Sequence, residues 1–202
     1  MRVLIACEFS GVVREAFRKK GHEAYSCDLL PALDGSPYHY QIDVEKVLLA
    51  DWDLIIAHPP CTYLTVAGNR YYHDRPDLYN PAAAFATMFF SYSRKVCVEN
   101  PVGRLSTLFR APDQTIQPYE FGEDASKRTC LWLQGLPLLV KREDQRVTGR
   151  YVEYPSGSNR FVERWSNQTD SGQNRLGPSV DRSSIRSITY QGIANAFAEQ
   201  WG

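Results

Sequence analysis

Short, continuous apolar runs recur along the first two thirds of the chain. Runs of four to eight apolar residues between polar segments are typical of strands that are buried on both faces of a sheet. The pattern predicts five such strands, which are VLIAC (3–7), EAYSCD (23–28), DLIIA (53–57), KVCVEN (95–100) and TCLWL (129–133). Strands of this kind belong to a mostly parallel sheet that is covered by helices.

Segments with helical periodicity lie between these runs. Val12, Val13, Ala16 and Phe17 have helical spacing, and Gly21 is the predicted C-cap of that helix. Further helices are predicted in VEKVLLADW after Asp43, in NPAAAFATMFFSYS (80–93) with Asn80 as N-cap and Pro81 at the first position, in VGRLSTLF, and in ITYQGIANAFAEQW (188–201). Alternating strands and helices predict an α/β fold with a doubly wound, mostly parallel, Rossmann-like sheet.

Composition agrees with one folded domain over residues 1–202. Hydrophobic residues make up 43% of the 202 residues and charged residues 23%, with a formal net charge of +0, which excludes a disordered chain. The chain has no run of about 18 apolar residues and no leader-like N-terminus, so we expect a cytoplasmic protein without a membrane span.

Charge is unevenly distributed along the chain. Residues 141–190 carry nine Lys or Arg against six Asp or Glu, a net charge of +3. This surplus fits either a partner that carries phosphate or an ordinary solvated surface. Within this region, residues 141–187 are polar and rich in Gly, Ser, Asn and Arg, which predicts a small variable insert that is loop-rich or contains a short β excursion.

Five cysteines are present, and none of them has a spacing typical of metal ligands, so the sequence predicts no metal site. Cys61 differs from the others because it follows a strand and two prolines. Proline cannot donate to a sheet ladder, so Pro59 and Pro60 should end the strand and fix the backbone that presents the thiol. Cys61 is then either a nucleophile at the sheet edge or a small buried residue.

Polar residues follow several of the predicted strands where they end. EFSG (8–11), Asp28, HPPCT (58–62) and ENP (99–101) all occupy such positions. Doubly wound sheets bind ligands outside the carboxyl ends of their strands. The pattern therefore predicts one functional site at that edge, although Asp28 alone also fits a surface residue and Glu99 a helix N-terminal acid.

Taken together, these stretches resemble the C5-cytosine methyltransferase family, which uses S-adenosylmethionine (SAM). IACEFSG is similar to the first motif of that family, and Pro60–Cys61 and Glu99–Asn100 are similar to its Pro-Cys and Glu-Asn signatures. SKRTCLWL is similar to its basic motif, and YQGIANAF (190–197) to its last motif. The resemblance implies a fold of the SAM-dependent methyltransferase type and covers roughly residues 1–135 and 188–202.

The resemblance also implies roles for particular residues. The implied catalytic residues are Cys61, Glu99 and Arg128. The implied SAM-binding residues are Phe9, Ser10, Gly11, Asp28, Asp43, Pro59, Asn195 and Ala196, although Asn195 also fits a helix cap. The implied substrate-binding residues are Pro60, Asn100, Arg70 and Tyr72; the last two lie in the polar, aromatic stretch 63–79, which is either a mobile loop over the target base or an ordinary surface loop.

The implied reaction is methyl transfer to C5 of a cytosine through a covalent adduct of Cys61 with C6 of the ring. Glu99 would polarise the ring, and His58 or Arg128 would favour the thiolate. The family normally carries a large target-recognition domain where this chain has only residues 141–187. The substrate is accordingly DNA, as expected for a compact, phage-like enzyme, or a free pyrimidine nucleotide. A catalytically silent relative that binds nucleic acid or a nucleotide is the third alternative.

Overall fold

A seven-stranded sheet runs through the middle of the protein, whose computed structural model describes all 202 residues. Its strands lie in the order β3-β2-β1-β4-β5-β7-β6, and β7 alone runs in the opposite direction to the other six. The strands are β1 (Arg2–Ala6), β2 (Glu23–Asp28), β3 (His39–Gln41), β4 (Leu54–Ala57), β5 (Val96–Pro101), β6 (Gln114–Ile116) and β7 (Thr129–Gln134). A separate antiparallel hairpin contains β8 (Arg150–Glu153) and β9 (Phe161–Arg164).

Seven α-helices accompany the sheet. They are α1 (Val12–Lys19), α2 (Glu45–Leu48), α3 (Val66–Tyr72), α4 (Pro76–Met88), α5 (Leu105–Leu108), α6 (Arg182–Ser187) and α7 (Gln191–Trp201). None of these helices has the length and apolarity that crossing a membrane requires.

Both faces of the sheet are buried, as the apolar runs predicted. Side chains on alternate strand positions point to opposite faces, so Cys97 packs with α1 and α7 residues such as Phe17 and Phe197, whereas Val96 and Val98 pack on the other face. The doubly wound, mostly parallel, Rossmann-like sheet of the predicted fold class is confirmed.

Several predicted elements have different bounds. The helix that was predicted for residues 80–93 begins at Pro76 and ends at Met88, so Asn80 is not its N-cap. Pro81 lies inside the helix, where its missing amide leaves the exposed Asp77 carbonyl without an intrahelical donor. The stretch 63–79 is not a continuous loop, because it contains α3 and the first turn of α4.

The insert 141–187 contains the β8–β9 hairpin and α6. Trp165 follows β9, is buried, and stacks on Tyr119 with ring centroids 3.9 Å apart. Its indole nitrogen donates to the carbonyl of Val147. The Val147 amide in turn donates to the Tyr119 carbonyl at 2.9 Å, so the stacking and this backbone bond attach the insert to the segment between β6 and β7.

Candidate active site

Four parallel strands bring polar side chains to the same edge of the sheet. Glu8 follows β1, Asp28 ends β2, His58 follows β4, and Glu99 lies near the end of β5. Ala57 is paired with Val98, so the residues that come next in the two neighbouring strands, His58 and Glu99, are adjacent. The sheet register therefore assembles the residues that the sequence placed at strand ends.

The HPPC turn leaves β4 in a fixed conformation. The His58 amide makes the last ladder bond, to the Ala6 carbonyl at 2.9 Å, and neither proline can extend the ladder. The Cys61 carbonyl then accepts from the amides of Leu64 and Thr65 at 2.9 and 3.0 Å. Cys61 is half-buried within this tight turn.

Asn100 ties the turn to the neighbouring strand. Its Nδ2 donates to the Pro59 carbonyl at 2.9 Å, and the side chain is 1% exposed. Pro59 is buried, whereas Pro60 is exposed. The predicted substrate-binding residue Asn100 thus supports the backbone that carries Cys61.

Glu99 is hydrogen-bonded to His58, with Nδ1 of the ring 3.2 Å from Oε2 of the carboxylate. Burial on its own would raise the pKa of Glu99, but the hydrogen bond from His58 and the charge of Lys127 together outweigh it and lower the pKa. Glu99 is therefore an ionised carboxylate at neutral pH.

The Cys61 thiol lies within electrostatic reach of the same groups. Burial and the charge of Glu99 raise the pKa of Cys61, while the charges of Lys127 and Arg186 act in the opposite direction. The resting thiol is therefore protonated at neutral pH. The charges of Glu99 and Lys127 thus both act on the Cys61 thiol, at the edge of the sheet where β4 and β5 end.

Lys127 occupies the place for which the sequence suggested Arg128. Lys127 lines a narrow crevice together with Glu99, Thr129, Tyr190 and Ile193. Arg128 is exposed, and its charge acts on the Cys130 thiol instead. Thr129 and Leu131 share a strand face with Glu99, so side-chain alternation counted back from them would have favoured Lys127 over Arg128.

Glu8 organises the turn between β1 and α1. Its carboxylate accepts from the Val13 amide at 2.8 Å and from the Ser10 hydroxyl at 3.1 Å, and it is 5% exposed. Burial raises the pKa of Glu8, although the nearby charge of His58 lowers it in part. The sequence analysis gave Glu8 no role, but a carboxylate at a helix N-terminus is a recognisable capping signal.

Gly11 adopts the left-handed conformation at the N-cap of α1, with φ of +78°. A side chain there would overlap the Arg14 guanidinium, which is fully buried and bonds to Ser26 at 2.8 Å and to Asp34. The amide of Leu33 also donates to the Phe9 carbonyl at 2.9 Å. The buried Arg14 side chain and the loop after β2 thus hold the Phe9–Gly11 turn in place.

Asp28 and Asp43 converge beside this turn. Oδ1 of Asp28 accepts from the Leu30 amide at 2.9 Å, and Oδ1 of Asp43 accepts from the Glu45 amide at 3.0 Å. Both charges help burial to raise the pKa of Cys7, so the two carboxylates lie near the same thiol. The second oxygen of each carboxylate makes no hydrogen bond within the protein, and Leu29 and Ile42 are exposed close by in sequence.

Other predicted site residues have different surroundings. Asn195 is exposed on α7 and accepts from Gln191 at 2.9 Å, one turn earlier, whereas Ala196 packs in the core. Tyr72 packs edge-on against Tyr63 with ring centroids 5.0 Å apart. Arg70 is exposed and lies over the ring of Tyr71, 4.5 Å from its centroid.

The segment after Cys61 is attached to the loop that follows β5. Thr65 forms an isolated bridge with Gly103, and the Arg104 amide donates to the Leu64 carbonyl at 2.7 Å. Thr65 also caps α3 by accepting from the Gly68 amide at 3.0 Å. The thiol turn and the Glu99 strand are therefore joined on two sides, through Asn100 and through Gly103.

The protein has no cluster of three or more His, Cys, Asp or Glu side chains that could hold a metal ion. No protein-family model and no curated protein matches the sequence. Solved structures with a similar fold include a protein described as a DNA modification methyltransferase encoded within an E. coli prophage, with 13% identity, a TM-score of 0.46, and coverage of 71% of this chain and 51% of that chain.

Two further similar structures are WbdD bound to a kinase inhibitor and a DNMT2 mutant from Spodoptera frugiperda. WbdD has 11% identity and a TM-score of 0.39, and the match covers 76% of this chain and 40% of that chain. DNMT2 has 17% identity and a TM-score of 0.40, and the match covers 72% of this chain and 54% of that chain. The chain thus spans about half the length of these proteins or less.

Proposed function

We propose that the protein transfers a methyl group from SAM to C5 of a cytosine in DNA, through a covalent adduct of Cys61. One observation carries the proposal: at the carboxyl ends of β4 and β5, the charges of the Glu99 carboxylate and the Lys127 ammonium both act on the Cys61 thiol, and Glu99 and Lys127 line the same crevice. A nucleophile, an acid–base group and a cation are the three components that addition to an electron-poor ring requires.

Cys61 begins the proposed reaction by losing its thiol proton to solvent and forming a bond from its sulfur to C6 of the ring. Negative charge then develops on the ring, and Glu99 stabilises it by accepting from the exocyclic amine and, once it carries a proton, by donating to N3. The positive charge of Lys127 favours the thiolate of Cys61 and compensates the ionised Glu99. After the methyl group is acquired at C5, the C5 proton leaves and the carbon–sulfur bond breaks, which restores the thiolate.

The residues around the Phe9–Gly11 turn fit a SAM molecule. Asp28 and Asp43 each offer a carboxylate oxygen without a partner in the protein, and such oxygens accept well from ribose hydroxyls or an adenine amine. Gly11 gives the turn its left-handed φ, and its missing side chain makes room for the Arg14 guanidinium behind the turn. When bound, SAM supplies an electrophilic methyl group, and we assign its adenosyl end to Asp28 and Asp43.

A free pyrimidine nucleotide is the second candidate substrate, and the insert provides the observation that favours it. Three of the eight arginines of the insert pair with acidic side chains, as Arg142–Asp144, Arg146–Glu163 and Arg150–Asp170. Three more, Arg164, Arg175 and Arg182, donate to backbone carbonyls within the insert. Duplex DNA needs many phosphate contacts and a flipped base. A single nucleotide phosphate needs only a cation such as Arg186, whose charge acts on Cys61.

The experiment is a transfer assay with methyl-labelled SAM. Duplex DNA, single-stranded DNA, dCMP and dUMP are each incubated with the protein, with the C61S variant as the matched control. Label in cytosine of DNA is the expected result, and label in a mononucleotide supports the second candidate. SAM binding without transfer to any of the four would overturn both and leave a silent binding protein.

A further inference from the structure

His58 is the group in the strand-end site for which the proposed reaction has not yet given a role. The ring is 9% exposed, and its Nδ1 lies 3.2 Å from Glu99. Its Nε2 is buried and has no hydrogen-bond partner in the protein. A buried imidazole with one occupied and one unoccupied nitrogen is unusual, because buried polar atoms are normally paired.

Two carboxylates face this ring from the neighbouring strands. Glu99 contacts it from β5, and Glu8 lies close enough after β1 for the charge of His58 to act on it. The charge of Lys127 acts on Glu99, and the charge of Glu99 acts on Cys61. His58 therefore stands between the carboxylate that caps the α1 turn and the carboxylate assigned to the cytosine ring.

The proposed reaction creates a need for a proton at this place. Glu99 is ionised at neutral pH, so it can accept from the cytosine amine but has no proton of its own to give to N3. The Nδ1 proton of His58 is the one hydrogen-bonded to that carboxylate. An imidazole exchanges protons in the neutral range and is suited to supply one.

We propose that His58 is a positioning residue that orients Glu99 and relays a proton through it to N3 of the target cytosine. As the sulfur–C6 bond forms, the doubly protonated His58 ring gives its Nδ1 proton to the Glu99 carboxylate, which passes it to N3, and a neutral imidazole with its proton on Nε2 remains. When the C5 proton leaves to solvent and the carbon–sulfur bond breaks, the N3 proton returns to Glu99 and then to His58. The inference rests on the proposed function.

Two variants separate a relay from a structural contact. In H58N the amide nitrogen takes the place of Nδ1 and still donates to Glu99, but it cannot release a proton. In H58L both the hydrogen bond and the proton are absent. A relay predicts that H58N lowers kcat by about 100-fold with little change in KM, since general acid–base groups contribute on the order of 10²–10⁴-fold. A purely structural contact predicts that H58N resembles the parent and only H58L is impaired.

The pH profile supplies a second readout. A relay requires both a deprotonated Cys61 and a proton held by the His58–Glu99 pair, so the parent rate should have a bell-shaped pH profile with a rising and a falling limb. In H58N the falling limb should disappear while the rising limb stays. An H58N profile that keeps both limbs, or an H58N rate equal to that of the parent, would overturn the relay.

A measurement without turnover distinguishes failure of the relay from failure of the proposed function. In ¹⁵N-histidine spectra of the ligand-free protein, the His58 signal is identified among the four histidines by its loss in H58N. E99Q should change the proton occupancy at Nδ1. If E99Q has this effect but the parent transfers no methyl group, the coupling of His58 to Glu99 stands while the proposed function and the relay both fail. If E99Q leaves the proton occupancy at Nδ1 unchanged, the inference itself is overturned.

Discussion

Nδ2 of Asn100 donates a hydrogen bond to the carbonyl of Pro59 at 2.9 Å, in a place where the asparagine is almost entirely excluded from solvent. This bond joins the end of β5 to the turn that presents Cys61. It fixes the thiol relative to Glu99, the residue immediately before Asn100, and so sets the spacing of the two groups on which the proposed chemistry depends.

Removal of this bond should disturb both stability and activity. N100A leaves the Pro59 carbonyl without its buried donor, which costs on the order of 1–3 kcal/mol of unfolding free energy. Urea unfolding measures that loss, and methyl transfer should decline further because the turn is no longer fixed. The matched control is N80A on the exposed surface of α4. Equal stability of N100A and N80A would contradict the stabilising role assigned to the hydrogen bond from Asn100 to Pro59.

Reactivity of Cys61 should respond in opposite directions to its two charged neighbours. E99Q removes a charge that raises the pKa of Cys61, so alkylation by iodoacetamide at neutral pH should become faster. K127Q removes a charge that lowers the same pKa, so alkylation should become slower. The measurement is the rate of modification of the Cys61 peptide by mass spectrometry, with C61S as the blank.

Because alkylation needs no methyl acceptor, this test does not depend on which substrate the protein uses. R128Q is the control, because Arg128 is exposed and its charge acts on Cys130 rather than on Cys61. If R128Q changed the alkylation rate more than K127Q does, the assignment of Lys127 to the cleft would be wrong.

Gly103 should not tolerate a side chain. A Cβ at this position would overlap the carbonyl oxygen of Leu64, where the two backbones approach most closely. G103A should therefore cost about 1–3 kcal/mol or more, as overpacking does, and should expose residues 63–75 to limited proteolysis. G177A is the control, because a Cβ there meets nothing within 4 Å. Unchanged thermal stability of G103A would show that the thiol turn does not rely on this contact.

Glu8 and Glu99 should affect the pH dependence of stability in opposite ways. The folded-state pKa of Glu8 is raised by burial, so its contribution to stability is present below the ordinary carboxyl pKa and is lost as pH rises through the raised value. E8Q should therefore gain on the parent as pH increases.

The folded-state pKa of Glu99 is lowered, because His58 and Lys127 outweigh the effect of burial. Its contribution is present above the ordinary carboxyl pKa and is lost as pH falls through the lowered value, so E99Q should lose most against the parent at neutral pH. Urea unfolding between about pH 4 and pH 7 measures both trends. Parallel trends for the two variants would be inconsistent with the burial and pairing described for them.

The sequence predicted the central strands because apolar runs such as LIIA and VCV leave few alternatives. It missed β3 and β6, whose three residues, HYQ and QTI, contain no apolar run and pair only at the edges of the sheet. It also missed α3, since no apolar stripe marks VAGNRYY and Thr65 provides the cap instead. Short edge elements depend on their neighbours more than on their own residues.

The candidate site, like the fold, could be predicted from the sequence only in part. Cys61, Glu99 and Asp28 could be proposed from their positions after buried strands, because parallel strands end at one edge. Lys127 could have been proposed only by counting side-chain alternation back from Thr129 and Leu131. Arg186 could not, since its approach to Cys61 depends on how the segment before α7 returns to that edge. His58 was considered only as a group acting on Cys61; its pairing with Glu99 follows from the register of β4 with β5.

Trapping of the covalent intermediate tests the central claim most directly. The protein is incubated with SAM and a duplex oligonucleotide that contains 5-fluorocytosine, and in parallel with 5-fluoro-dCMP, because fluorine at C5 blocks the final elimination. We expect a denaturation-resistant adduct whose tryptic peptide carries the methylated fluoropyrimidine on Cys61, and no adduct with C61S. Methyl transfer to cytosine by the parent protein without any adduct at Cys61, or transfer at the parent rate by C61S, would contradict the thiol mechanism.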